Sequence, residues 1–155
     1  MTPIISIRPT NVLLLNLNSS RELSDSLRGI IESTEDAGLR LHLETIDNAP
    51  QPSRAEGALF EMISRFRPAV IFLVSSWNYL KQAGSIFSSL RHSAPEPPVV
   101  VVSDAAEPDD MLEMIKLGAA DFVTPPLKPV EIIPRLWRLL ANEAPFLGPF
   151  FRRCV

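Results

Sequence analysis

Between residues 97 and 129 the chain reads PPVVVVSDAAEPDDMLEMIKLGAADFVTPPLKP, in which a strand, a helix, a second strand and a proline turn follow one another. Val99 to Val102 form an unbroken β-branched run, too short for a helix and suited to a strand buried on both faces. Pro108 at a first helical position, with Asp109 and Asp110 favouring the positive end of the helix dipole, opens a helix that carries Leu112, Ile115 and Leu117. Gly118 stands where a helix C-terminus needs positive φ, and Ala120 to Thr124 form the next strand before Pro125 and Pro126 stop it.

The same grammar extends outward. Val12 to Leu15 is a short apolar run that predicts a first strand. Asn18, Ser19 and Ser20 offer caps for a helix over Arg21 to Ala37, with Leu23, Leu27, Ile30 and Ile31 on one face and Gly38 at its end. Leu39, Leu41 and Leu43 alternate with polar residues, the period of an edge strand with one wet face. Asp47 to Ser53 reads as a loop, and Leu59, Phe60, Met62, Ile63 and Phe66 mark a second helix ending near Arg67. Ala69 to Val74 is a central strand. Leu80, Ile86, Phe87 and Leu90 predict a third helix, interrupted by Gly84 and closed by the proline-rich stretch from Ala94 to Pro98. Val130 to Leu140 gives a last helix with Ile132, Ile133, Leu136, Leu139 and Leu140 on its apolar side, and Pro134 inside it predicts a kink or a late start. Five strands alternating with five helices imply an α/β fold with a parallel sheet covered on both faces.

Length and composition fit this reading. A chain of 155 residues supports one domain with one core, and 46% hydrophobic with 21% charged residues is ordinary for a globular protein. No apolar run approaches the roughly 20 residues of a membrane helix, and the first ten residues do not resemble a secretory signal, so a cytoplasmic location without membrane contact is expected. The net charge of −3 lacks the basic excess of a nucleic-acid binder, and the single Cys154 excludes an internal disulfide. The 15 prolines lie mostly between periodic segments, where they punctuate loops. The expected organisation is an N-terminal extension over 1–10, a domain over 11–142 and an apolar tail or linker stub over 143–155, with Phe146, Leu147, Phe150 and Phe151.

The valine run ending at Ser103, the glycine-closed helix, Phe122 and the proline turn together resemble the last third of a bacterial response-regulator receiver domain, of the CheY-like kind. The resemblance covers about Asn11 to Asn142 and implies the flavodoxin-like (βα)5 fold with strand order 2-1-3-4-5. In that family an acidic pair ends the first strand, a phosphoaccepting aspartate ends the third, and a lysine precedes a proline after the fifth. Here the acidic pair falls at Asn16 and Leu17, the phosphoacceptor at Val74, or at Ser75 after a one-residue slip, and the lysine at Pro125, with Lys128 three residues late. The resemblance thus implies a pseudo-receiver. Mg²⁺ requires oxygen ligands including carboxylates, and phosphoryl transfer depends on positioning and charge neutralisation, so neither metal nor cofactor is expected. Ser103 and Phe122 match the family's switch hydroxyl and aromatic, yet serve equally as a strand-end cap and a core aromatic. The family's lysine–proline bond is commonly cis, which predicts a cis bond at Pro125–Pro126.

Other residues favour structural roles. His42 and His92 lack partners at ligand spacing and read as surface histidines. Asp104, Glu107, Asp109 and Asp110 read as a solvated loop with dipole compensation, and Trp77 and Tyr79 as plugs of the mouth where a phosphorylation site would open. The expected function is protein–protein contact in two-component-type signalling or transcriptional regulation, with protein partners or an attached effector domain. The face built from the fourth predicted helix, fifth strand and fifth helix, about Asp109 to Leu140, is the expected homodimer surface, with Met111, Met114, Lys116, Trp137 and Arg138 as candidates. Two alternatives stand beside it: a small-ligand or nucleotide sensor using the crevice at the strand ends, and a phosphorylatable receiver using displaced acids such as Asp104 or Asp121.

Overall fold

The computed structural model describes residues 10–17, 21–33, 39–46, 52–76, 97–104 and 107–143. Strands β1 (Thr10–Leu17), β2 (Leu39–Ile46), β3 (Val70–Ser75), β4 (Val99–Ser103) and β5 (Asp121–Val123) form one sheet in the order β2-β1-β3-β4-β5. Every neighbouring pair is parallel. The described helices are α1 (Arg21–Glu32), α2 (Pro52–Phe66), α3 (Pro108–Leu117) and α4 (Pro129–Glu143). This is the flavodoxin-like arrangement implied by the resemblance.

The unbroken apolar runs are explained by double burial. Val12 to Leu15, Val70 to Val74 and Val99 to Val102 are all buried, and their alternating side chains feed two cores. Leu13, Leu15, Ile71, Leu73, Val99 and Val101 meet Leu59 of α2 and Met114 of α3 on one face. Val12, Leu14, Phe72, Val74, Val100 and Val102 meet Leu27 and Ile31 of α1, with Ile132, Leu136 and Leu140 of α4, on the other. A one-residue slip of any central strand would exchange the two sets, so packing fixes the register.

Local signals set the element ends. The Glu107 N–H donates to Asp110 Oδ2 at 3.2 Å, holding the entry to α3. Gly118 has φ 121°, and its N–H donates to the Ile115 carbonyl at 3.0 Å. Ser33 closes α1, its hydroxyl donating to the Ile30 carbonyl at 2.6 Å.

Several expectations are corrected. Helix α2 begins at Pro52, so Pro52 and Ser53, expected to end the preceding loop, belong to the helix, because proline suits a first helical position. In α3 the buried side chain is Met114, with Leu117 packed against the same core, whereas Leu112 and Ile115 are exposed. The expected apolar face of this helix is therefore largely turned outward. His42 is half-buried on β2, stacked on Phe66 with ring centroids 4.1 Å apart, and its Nε2 lies 3.1 Å from Asn11 Oδ1. The Asn11 side-chain amide donates to the Phe66 carbonyl. That bond turns the Asn11 oxygen toward the ring, which makes Nε2 the donor. The end of α2 thus covers a strand face expected to be wet.

Helix α4 starts at Pro129 and continues through Pro134, so the late start does not occur. Val130 and Pro134 are exposed, and the Val130 carbonyl that loses its helical donor faces a solvated side of the helix. None of the described helices is long and apolar enough to cross a membrane. The expectations at Asn18 to Ser20, Ala37 and Gly38, Trp77 and Tyr79, the helix over Leu80 to Leu90, His92, and the apolar tail lie outside the described residues.

Two substitutions test this packing. Pro134→Ala restores a helical donor and is expected to raise the unfolding free energy by about 1–2 kcal/mol in denaturant titration. Ser24 is buried on α1 and its hydroxyl has no partner among the described residues. Ser24→Ala removes that unpaired hydroxyl and is expected to add about 1 kcal/mol, so a loss of stability would show that the hydroxyl is paired in solution.

Candidate functional site

In a parallel sheet with returning helices, the strand C-termini and the following helix N-termini share one edge, where a crevice forms. Ladder register shows what stands there. Leu17 lies beside Ser75 and Ser75 beside Ser103, while one residue earlier Asn16 lies beside Val74 and Val74 beside Val102. The positions matched to the acidic pair and the phosphoacceptor therefore converge at one edge, but they present an amide, two apolar side chains and a hydroxyl.

Burial makes the difference chemical. Val74 and Ser75 are both 0% exposed. The Ser75 hydroxyl is directed at backbone carbonyls, 3.3 Å from that of Leu17 and 3.0 Å from that of Ser76. It presents no accessible nucleophile. Asn16 and Leu17 are also buried and supply no carboxylate.

Above this row lies a cleft of about 510 Å³, lined by Glu22, Leu23, Ser26, Ser76, Asp104, Pro125, Pro126 and Leu127. Each of these follows the end of a strand: Glu22 to Ser26 after β1, Ser76 after β3, Asp104 after β4 and the prolines after β5. The Pro125–Pro126 bond is cis, as the resemblance implies, and both prolines line the cleft where the family has its lysine. Among the described lining residues the ionisable groups are the carboxylates Glu22 and Asp104. Asp104 Oδ1 lies 3.5 Å from the Ser103 hydroxyl. The strand-end residues do not fit the family's magnesium ion, which takes charged oxygens from the positions filled here by Asn16, Leu17 and Val74. Among the described residues, no group of three or more His, Cys, Asp or Glu side chains is arranged to hold a metal ion.

Glu22 and Ser76 escaped the sequence reading. The available signal was positional, since in an alternating βα chain the first turn of each helix returns to the same sheet edge. The Ser76 hydroxyl is buried without a partner among the described residues.

The remaining candidates separate. Ser103 is fully buried at the end of β4, and Phe122 is half-buried and packs against the core on the α2–α3 side. Asp121 stands at the start of β5, away from the cleft. Its Oδ2 accepts from Arg135 Nε at 2.7 Å and lies 3.7 Å from Arg138 Nη2, while its Oδ1 accepts the Phe122 N–H at 2.8 Å. Asp121 is therefore not among the residues that line the cleft. Of the surface candidates, Lys116 and Arg138 are exposed and Met111 is half-buried. Trp137 is half-buried against the α1–α4 core, and Met114, at 2% exposed, belongs to the opposite core. Met114 is thus no surface residue. Leu112, Ile115 and Val130 supply exposed apolar area that the sequence reading left out.

No family model matches the chain, and no curated protein matches it significantly. Solved structures do match. A CheY-like protein, tadZ, from Pseudomonas aeruginosa superimposes with a TM-score of 0.62 at 19% identity, covering 84% of this chain and 94% of that one. A response regulator from Thermotoga maritima gives 0.62 at 16% identity, covering 85% and 98%. A protein from Burkholderia pseudomallei described as pilus assembly-related gives 0.64 at 13% identity, covering 90% and 96%. With the strand order and the shared edge in place, these likenesses show that the chain has the receiver fold of CheY-like response regulators.

Proposed function

We propose that this chain is a degenerate receiver domain that acts in two-component-type signal transduction or transcriptional regulation through protein–protein contacts, without aspartyl phosphorylation. The observation that carries this reading is the strand-end row itself, where Asn16, Leu17, Val74 and Ser75 are all buried and none is a carboxylate. A receiver scaffold with that row keeps surfaces but has lost its nucleophile, its metal ligands and its lysine.

The proposed contact face is formed by α3, β5 and α4, and it serves a cytoplasmic protein partner, an attached effector domain or a second copy. Its elements carry exposed Leu112, Ile115 and Val130 together with exposed Lys116 and Arg138, the mixture of apolar and charged side chains that interfaces use. The Asp121–Arg135 ion pair fastens β5 to α4 and keeps the face in one shape. Since one structural neighbour is described as pilus assembly-related, a component of such an assembly is the partner class to test first.

A second reading draws support from the cleft, whose size admits a small ligand beside Glu22, Ser76 and Asp104. A nucleotide or metabolite that raised the melting temperature in a dose-dependent way would favour it. In the displaced-acid reading, Asp104 is the one remaining candidate that lines the cleft.

Intact mass after incubation with Mg²⁺ and a small phosphoryl donor is expected to show no adduct, with a competent receiver as positive control. A stoichiometric, hydroxylamine-labile adduct lost in Asp104→Asn would replace the degenerate reading by the displaced-acid one. On the contact face, Leu112→Glu combined with Arg138→Glu is expected to weaken partner capture at least about tenfold while leaving the circular dichroism spectrum unchanged. Undiminished capture would remove this face from the proposal.

A further inference from the structure

The two edges of the sheet are unlike. At one edge β5 has only 3 residues and is followed closely by the Pro125–Pro126 turn, a short edge of the kind that resists pairing. At the other, β2 has 8 residues without a proline and, among the described residues, pairs on one side alone, with β1. A long unpaired strand offers a row of backbone donors and acceptors to an incoming strand.

Its side chains carry a pattern. Ladder register puts Arg40, His42 and Glu44 beside Asn11, Leu13 and Leu15, on the sheet face that α2 covers. Leu41 and Leu43 stand beside Val12 and Leu14, on the α1 face. Arg40 is exposed, Glu44 is half-buried and Leu43 is 37% exposed. Arg40 and Glu44 lie four residues apart on one strand, about 13 Å, too far to pair with each other. Neither takes part in an ion pair among the described residues.

Edges guarded against pairing carry prolines, bulges or charges, especially lysine. This one carries opposite signs placed symmetrically about His42. In an antiparallel pairing of two β2 strands centred on His42, each Arg40 falls opposite the partner's Glu44, each Leu41 falls opposite the partner's Leu43, and the two His42 residues face each other across the axis. Both charges gain an opposite-sign cross-strand neighbour, and the exposed Leu43 gains an apolar one. The arrangement is isologous, because each contact is repeated by the two-fold axis.

We propose that β2 is a self-association edge, joining two copies of this chain into one continuous sheet through antiparallel β2–β2 pairing centred on His42. It is independent of the partner face on α3, β5 and α4, which lies at the other edge of the sheet, and of any phosphorylation.

The test is sedimentation velocity of the full chain over a wide concentration range, with charge variants. The wild type is expected to show a concentration-dependent monomer–dimer equilibrium. Arg40→Glu and Glu44→Arg each set like charges opposite one another twice, and each should raise the dimer dissociation constant about tenfold or more. The double variant Arg40→Glu/Glu44→Arg restores complementarity and should return to within about threefold of wild type. That recovery separates an interface from a folding defect, because a damaged strand would not be repaired by a second substitution. A wild-type chain that stays monomeric throughout, or a dimer indifferent to all three variants, overturns the proposal. So does a double variant as weak as the singles. Loss of dimer in Leu112→Glu/Arg138→Glu with no effect of the β2 variants would instead move self-association to the α3–β5–α4 face.

Discussion

The structure depends on the burial of three adjacent strands, β1, β3 and β4, on both faces at once. Their side chains alternate between two cores, so register is fixed by packing. The strand ends follow from it, since once Leu13, Ile71 and Val99 are set in their core, Leu17, Ser75 and Ser103 must come level at the sheet edge. The site is therefore placed by hydrophobic burial earlier in the same strands. The helices complete both cores, α2 and α3 on one side and α1 and α4 on the other.

That constraint also bears on which side chains suit the strand ends. A carboxylate at a buried strand end is costly unless it is paired or holds a metal, and several together repel one another. With Leu17 and Val74 in those positions the apolar core continues to the edge, and the Ser75 hydroxyl is satisfied by backbone carbonyls. These strand ends therefore carry continuous packing in place of charge. The acidic groups that remain at the cleft, Glu22 and Asp104, come from a helix turn and from the residue after a strand, not from the buried row.

Much of the fold was legible because the buried strands leave little ambiguity. The run Val99 to Ser103 matches β4, and Pro108 and Gly118 bracket α3. Legibility failed where side-chain pattern was degenerate or the cover was distant. In α3, Met111, Leu112, Met114, Ile115 and Leu117 make the helix apolar nearly all round, so periodicity could not decide that Met114 turns inward and Leu112 outward. His42 looked solvated because the residue that covers it, Phe66, lies at the end of the next helix. The start of α2 was hidden because Pro52 and Ser53 share the loop-like composition of the residues before them. At the candidate site, the strand-end identities were readable from alignment alone, but Glu22 became visible only when topology brought the first turn of α1 to the cleft.

The hydroxyl of Ser75, held against the Leu17 and Ser76 carbonyls, has a consequence for how information passes through such a domain. A conventional receiver is a reversible memory: a covalent mark adds charge at the strand end and moves a population between two conformations, and that shift is limited by the differential free energy the mark supplies. A strand end that cannot accept the mark has no such term. On the proposed reading the domain stores nothing, and its output follows its own abundance and that of its partners, so that control passes from chemistry at the sheet edge to synthesis, degradation and local concentration.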